Sequence, residues 1–527
     1  MGSNEQMGIV AADHVRIVSR RMIKPPSDSE EAVNIHLTPW DLCLLTIDYI
    51  QKGILLPKPP AGGVGERLVD TLASSFARAL GKSWSLTTAG LSLSCCGARE
   101  KALSSSTRWR PASPAAAATE SLPVMSAQVT ELADGVFISM SMNHSVGDGT
   151  AFWEFFNTWS EINRGGVDLQ EARTLAPAHQ RFFIDTSPVP IRLPFSKLQD
   201  VVRRFERPTV QECFFTFSAA SIQKLKARAN SETDATAVAI SSLHALLAHV
   251  WRAVSRARRL PPGQETSHSL LIGCRGRVNG IPPGYLGNAA VFGKASSTVG
   301  EILDKGLGWT AWQLSRVVAS FDEAAMADWL DRWTREPNFV YAGDKSVGGA
   351  GAAVATRSSP RFDVFGNDFG WGKPVAVRSG PGNKTDGKVT VFDGGERGES
   401  MSLEVCIAPD ALQRLLVDEE FMDAVTLYVA HQDPGEEDTP WSREGEKQLD
   451  VKKDVELDPT SCEARQGKEE AGRPRTRLTG RQTGPPGPNR DSSLCQPGAI
   501  PGLRNPSSVA SRSQGRFGPD APAPGPV

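Results

Sequence analysis

The strongest constraint on this chain is a strand, a turn and a helix written one after another. Val136-Phe137-Ile138-Ser139-Met140-Ser141-Met142 is an unbroken run of apolar and small residues, the pattern of a strand buried on both faces. His144-Ser145-Val146-Gly147-Asp148-Gly149 follows, and its two glycines mark a turn. From about residue 150 to 162, Phe152, Phe155, Phe156 and Trp159 fall on one face of an amphipathic helix. A polar turn between two such apolar elements is where loops commonly carry chemistry.

Strand and helix patterns then recur throughout the chain. Val15-Arg16-Ile17-Val18 is β-rich, and residues 42–54 read as a core segment. Residues 66–80 are helical by the spacing of Leu68, Val69, Leu72, Phe76 and Leu80, with Gly81 able to cap the end. Farther on, Cys213-Phe214-Phe215-Thr216-Phe217 predicts a strand, and residues 219–228 and 235–258 predict helices. Ser269-Leu270-Leu271-Ile272-Gly273-Cys274 predicts another strand, and 299–333 one long helical stretch. Strands at 389–392 and 402–407 precede a final helix at 409–425. Mixed elements in both halves give an α/β class. No repeat of fixed period is present.

Composition sets the outer limits. At roughly 100–200 residues per domain, 527 residues allow two to four domains. Lys+Arg at 58 against Asp+Glu at 60 gives a formal net charge of -2, with no electrostatic case for nucleic-acid or anionic-membrane partners. No apolar run approaches the roughly 18–20 residues that span a bilayer. Fourteen of the 37 prolines and 12 of the 49 glycines lie in residues 431–527, which are therefore read as a disordered tail after a folding unit of about 430 residues. The eight cysteines are scattered without a CxxC pair, and Cys95-Cys96 lacks a second pair at zinc spacing, so no metal site is expected. Residues 1–6 have no apolar h-region, and Gln6 breaks the myristoylation pattern, so a reducing, cytoplasmic setting is the expectation.

Three groups of residues carry candidate chemistry. His144 in its turn could take a proton from an alcohol or amine near neutral pH. Asp148 has two open roles: orienting the imidazole, or pairing with a remote arginine and fixing the turn. Arg275-Gly276-Arg277 places two arginines on one face, and either could be that partner or part of a solvated charged surface. Asn367-Asp368-Phe369-Gly370-Trp371-Gly372-Lys373-Pro374 predicts a tightly packed loop, better read as a structural turn with Trp371 buried than as a reacting group. The cluster Gly348-Gly349-Ala350-Gly351 lacks the strand and helix of a phosphate cradle and is read as a mobile loop.

Taken jointly, the His144–Gly149 and Asp368–Gly372 motifs, 224 residues apart, resemble the BAHD acyltransferases of plants, in particular the subgroup of uncharacterised acetyltransferases. Supporting stretches are Leu37-Thr38-Pro39-Trp40-Asp41, Tyr49-Ile50-Gln51-Lys52-Gly53, Phe155-Phe156-Asn157-Thr158-Trp159, Arg275-Gly276-Arg277-Val278-Asn279 and Gly284-Tyr285-Leu286-Gly287-Asn288. The resemblance implies two chloramphenicol-acetyltransferase-like domains with a channel between them, at 8–187 and 211–428, joined by a crossover at 188–210. It implies acyl-CoA as co-substrate with no bound cofactor, a small-molecule hydroxyl or amine acceptor, and a monomer. His144 takes the place of the general base, and Asp148 that of an arginine-paired support, matched here by Arg275 or Arg277. Asp368, Phe369, Gly370, Trp371 and Gly372 match a loop that shapes the CoA side without touching the reaction.

The resemblance lapses at residues 83–119, an anomalous segment of little periodicity inside the first domain, and again beyond about residue 428. A first domain short of a core strand would make the chain an unstable or non-catalytic product, the main alternative to an acyltransferase. Lyase chemistry on the same scaffold is a further alternative, disfavoured by the retained His144. Because the tail is read as lying outside the folding unit, a chain ending at residue 430 is expected to melt at the temperature of the full chain; a clearly lower midpoint by scanning calorimetry would contradict this.

Overall fold

The computed structural model describes residues 15–23, 35–60, 66–83, 91–98, 124–165, 178, 180–185, 187–201, 209–233, 239–341, 352–395 and 400–426. All of them lie within residues 1–453, which cluster as one unit. In chain order the first elements are β1 (Val15–Ile23), α1 (Pro39–Leu42), β2 (Ile50–Pro57), α2 (Glu66–Ser83), β3 (Leu91–Ala98), β4 (Met125–Glu131), β5 (Gly135–Met142), α3 (Gly149–Asn163) and α4 (Leu198–Val201). There follow β6 (Gln211–Phe217), α5 (Ala219–Ser231), α6 (Ser242–Ala257), β7 (Glu265–Gly273), β8 (Ala290–Thr298), α7 (Val299–Asp304), α8 (Gly306–Ala319) and α9 (Glu323–Arg335). The last are β9 (Ala353–Arg357), β10 (Ala376–Ser379), β11 (Lys388–Asp393), β12 (Met401–Ile407), α10 (Pro409–Leu416) and α11 (Glu419–Met422).

The strands form two six-stranded mixed sheets, in the orders β1-β3-β4-β5-β2-β10 and β6-β12-β11-β9-β7-β8. All eight residues of β5 are buried, as its apolar run requires, and it lies antiparallel to β4 and β2. Helices α2 and α3 cover this sheet: Phe76 meets Phe155 and Trp159 edge-on at centroid distances of 5.4 and 4.8 Å. The indole of Trp159 donates to Ser75 Oγ at 3.1 Å, so its one polar atom is satisfied inside the core. In the second half α6 is the hub, with Ala245 to Val254 buried throughout, and the indole of Trp251 donates to Thr266 Oγ1 at 2.9 Å.

One strand does not stay with its half of the chain. The backbone leaves the second sheet after β9, supplies β10 as the edge partner of β2 in the first sheet, and returns as β11. Nothing in the four residues of β10 marks it in advance. The stretch expected as one helix over 299–333 is three, because Gly306 takes a positive φ of 86° and Asp322 caps a new N-terminus by accepting from Ala325 N. The final helix breaks likewise where Asp418 caps α11.

The segment at 83–119 also differs from expectation. β3 lies inside it, antiparallel to β1 and parallel to β4, so the first sheet is not missing a strand there. Leu91-Ser92-Leu93-Ser94-Cys95 alternates with the period of a strand, a signal hidden by the lack of helical spacing around it. Residues 84–90 and 99–123, the glycine cluster at 348–351, part of the crossover (202–208) and the tail at 431–527 lie outside the described residues.

The register of β2 is tight at Gly53, which sits opposite Ser139. A Cβ there would lie 2.4 Å from Phe137 Cζ and 2.6 Å from Ser139 Cβ. Gly53→Ala is therefore expected to destabilise the protein by about 1–3 kcal/mol, read from urea unfolding; an unchanged midpoint would contradict this packing.

Candidate active site

The turn after β5 is shaped by a carboxylate. Asp148 is 5 % exposed and caps α3, its Oδ1 accepting from Thr150 N at 3.0 Å and Ala151 N at 3.3 Å. Its other oxygen accepts from Arg275 Nη1 at 2.6 Å and Ala289 N at 3.1 Å. Burial alone would raise this carboxyl, but the charge and hydrogen bond of Arg275, with the amides of Ala289 and Ala151, hold it below its usual range. Of the two roles open to Asp148, the structure places it in the second: it pairs with a remote arginine and fixes the turn.

Arg275 follows the end of β7, and its second terminal nitrogen donates to the carbonyls of Tyr285 and Gly287, both at 2.8 Å. One guanidinium thereby joins the helix cap to the loop before β8. Arg277 is not brought to Asp148: it donates to the carbonyls of Val318 and Phe321 at the end of α8, both at 3.2 Å. Gly276 takes a positive φ of 73° between the two arginines, and they turn to different partners.

His144 is held by its backbone. Its carbonyl accepts from Asn288 Nδ2 at 2.8 Å, and Asn288 in turn donates through N and Nδ2 to Asp41 Oδ1, both at 2.9 Å. Asp41 is fully buried, and its Oδ2 accepts from Thr38 N and Thr38 Oγ1, both at 2.9 Å. The sequence places Asp41 and Asn288 in stretches that support the resemblance but gives neither a role at the site. The signal for Asp41 was the Thr38-Pro39-Trp40-Asp41 capping-box spacing; Asn288 carries no local signal, since its role depends on two remote partners. Arg181 was also missed. It donates to Val146 O at 3.1 Å, and with Arg275 it lies against the Tyr285 ring, at 5.9 and 5.6 Å from the centroid.

The imidazole of His144 lines a cavity of about 1620 Å³ whose walls come from both sheets, including Lys52 of β2, Ile272 of β7, Arg357 of β9 and Lys388 of β11. Its Nδ1 is enclosed and has no hydrogen-bond partner among the described residues, which leaves Nε2 as the nitrogen open to the cavity. Burial lowers its pKa, against the opposing pull of its own carbonyl, Asp148 and Asn288, so the ring is neutral at pH 7 and able to accept a proton.

The loop at 368–372 stands apart from the cavity lining. Asp368 Oδ1 accepts from Gly370 N at 2.8 Å and Gly372 N at 3.1 Å, closing the loop on itself. Gly370 and Gly372 have φ of 110° and 134°, a region that L side chains avoid. Phe369 is buried edge-on against Trp159 at 5.0 Å, and its carbonyl accepts from Asn163 Nδ2 at 2.7 Å. Trp371 Nε1 donates to Pro57 O at 3.1 Å. The loop thus fastens a segment of the second half onto α3 and β2, with Phe369 as its buried ring; Trp371, expected to be buried, is half-buried because its indole reaches out to the Pro57 carbonyl.

The sequence profile described as the Transferase family matches residues 109–422. An uncharacterized acetyltransferase of Arabidopsis thaliana is 34% identical, over 78% of this chain and 99% of its own length. The chain belongs to the BAHD acyltransferase family. Enhanced Pseudomonas Susceptibility 1 of the same plant is 32% identical over 78% of this BAHD chain and 97% of its own. Among solved structures, vinorine synthase superposes with a TM-score of 0.58 at 16% identity, covering 78% of this chain and 98% of that one. TRI101 of F. sporotrichioides, complexed with coenzyme A and T-2, gives 0.56 at 18% identity, covering 75% and 99%. The fold is chloramphenicol-acetyltransferase-like and the chain is an acyltransferase. Among the described residues no helix is long and apolar enough to cross a membrane.

The Asp148–Arg275 pair gives a pH-dependent stability. Because the folded carboxyl is lowered, its contribution is complete above the ordinary aspartate value and is lost as pH falls through the folded value. Asp148→Ala is expected to cost about 3–5 kcal/mol at pH 7, with the gap from wild type narrowing in acid; denaturant melts at two pH values check both parts.

Proposed function

We propose that this protein moves an acyl group from acyl-CoA to the hydroxyl or amine of a small metabolite, with His144 as general base. The observation that carries the reading is the position of His144: a neutral, buried-edge imidazole opening on a cavity walled by both sheets. At about 1620 Å³ the cavity exceeds the roughly 300–1,000 Å³ of a single-ligand pocket, which suits two substrates meeting inside it.

On this reading Nε2 takes the proton of the acceptor as its oxygen or nitrogen attacks the thioester carbonyl. The tetrahedral intermediate then expels the CoA sulfur, which receives that proton from the imidazolium, and the ring returns to its neutral form. A proton on the enclosed Nδ1 leaves Nε2, which faces the cavity, free to act as the base. Asp148 and Arg275 support the turn without contacting the reaction. Residues 8–187 supply the base, residues 211–428 supply most of the facing wall, and the loop at 368–372 keeps the two in register. Coenzyme A bound to the fold neighbour TRI101 supports the choice of donor.

With acetyl-, malonyl- or hydroxycinnamoyl-CoA and an accepted acceptor, the protein is expected to release free thiol. His144→Ala is expected to reduce that rate by about 10²–10⁴-fold. In the wild type kcat/KM should rise with pH and level off below the ordinary imidazole value of about 6.5, because the base is the neutral ring and its pKa is lowered. Full turnover by the alanine variant, or a rate that falls as the ring deprotonates, would refute the role.

A further inference from the structure

Along the cavity wall, two lysines are buried without a side-chain hydrogen bond or ion pair among the described residues. Lys52 of β2 and Lys388 of β11 both line the cavity and are only 9 % and 8 % exposed. Lys52 lies between Met140 of β5 and Ser379 of β10 in the sheet, and its Nζ sits 4.7 Å above the centroid of the Phe392 ring. Lys388 is flanked by Cys406 of β12 and Ala355 of β9. The buried carboxylate beside them, Glu404 of β12, is already engaged: one oxygen accepts from Lys384 Nζ and the other from Ser379 Oγ. Lys384 also pairs with Glu212 of β6. Among the described residues, neither Lys52 nor Lys388 makes a side-chain hydrogen bond or an ion pair.

Two buried lysines beside one carboxylate that is hydrogen-bonded to a third lysine leave this wall short of negative charge. The cost is visible in their acidity. Burial, then the charge of Lys384, pushes Lys388 down to about 8 against the opposing pull of Glu404 and Cys406. Burial, then Lys388 and Lys384 against Glu404, lowers Lys52 well below the usual lysine range. An anion entering the cavity would relieve both.

We infer that Lys52 and Lys388, both buried and both lining the cavity, form a subsite for a carboxylate borne by the acceptor. A carboxylate monoanion meets less repulsion from the buried Glu404 than a dianionic phosphate would. The wall also runs toward the base: Lys52 is two residues from Ile50, which faces Met142, and His144 follows two residues later. Assigning the carboxylate to the acceptor rests on the acyl-transfer reading; the subsite itself does not.

The test is calorimetric binding of 4-hydroxybenzoate and its methyl ester to the full chain, which requires no turnover. The acid is expected to bind at least about tenfold more tightly than the ester in the wild type and in His144→Ala, the latter separating this inference from the role of the base. Lys52→Met combined with Lys388→Met should abolish the preference while leaving desulfo-CoA affinity unchanged, and Lys388→Arg should keep it. In wild type at pH 8.5, heats in two buffers of different ionisation enthalpy should reveal proton uptake on binding the acid, because the carboxylate restores charge to the lysines. This last measurement stands even if the double variant fails to fold. Equal binding of acid and ester, no binding of the acid at millimolar concentration, no proton uptake, or a parallel loss of desulfo-CoA affinity in the methionine variant would each overturn the inference.

Discussion

Much of this molecule hangs on one buried carboxylate. Asp148 accepts four hydrogen bonds from three separate stretches of chain: the first turn of α3, Arg275 after β7, and Ala289 before β8. A carboxylate in that position is tolerable only because every donor arrives together, since a buried charge missing a partner costs several kcal/mol. The same requirement sets the location of the turn that carries His144. A second polar chain, Thr38 to Asp41 to Asn288 to the His144 carbonyl, repeats the device from the N-terminal side. The catalytic candidate is thus held by its main chain on one side and by a helix cap on the other, while its ring is left nearly free of hydrogen bonds. A base needs that division of labour, because the atoms that position it must not be those that react.

The aromatic loop at 368–372 and the strand β10 act together on a larger scale. Phe369 and Trp371 anchor the loop to α3 and to Pro57, and within four residues the chain enters the first sheet beside β2. Cavity walls drawn from two sheets keep a fixed spacing only if something ties the sheets together, and this segment is that tie. The lysines at 52 and 388 sit on either side of the junction.

How much of this was readable in the residues depended on whether the determining contacts are local. The strand at 136–142, the helix after Asp148, the helix from residue 66 and the strands near 213, 269, 389 and 402 are periodic over their own length, and each stands where its pattern puts it. The breaks at Gly306, Asp322 and Asp418 interrupt a helical period without erasing it, so three helices looked like one over 299–333 and two like one over 409–425. β10 has four residues, and β8 alternates through Gly293 and Lys294; both owe their existence to a neighbouring strand. At the site His144, Asp148 and the arginine face were legible, because the turn chemistry is local. The choice between Arg275 and Arg277, the Asn288 link and the paired lysines depend on tertiary contacts across more than a hundred residues. No spacing rule reaches that far.

The crossing of β10 also governs how the protein can be made. On the ribosome, β1 to β5 emerge some two hundred residues ahead of the strand that covers the open edge of β2. Through that interval β2 presents unpaired amides and carbonyls to any other extended chain. The first sheet is not finished by its own half of the polypeptide: its edge at β2 stays open until β10 has been made.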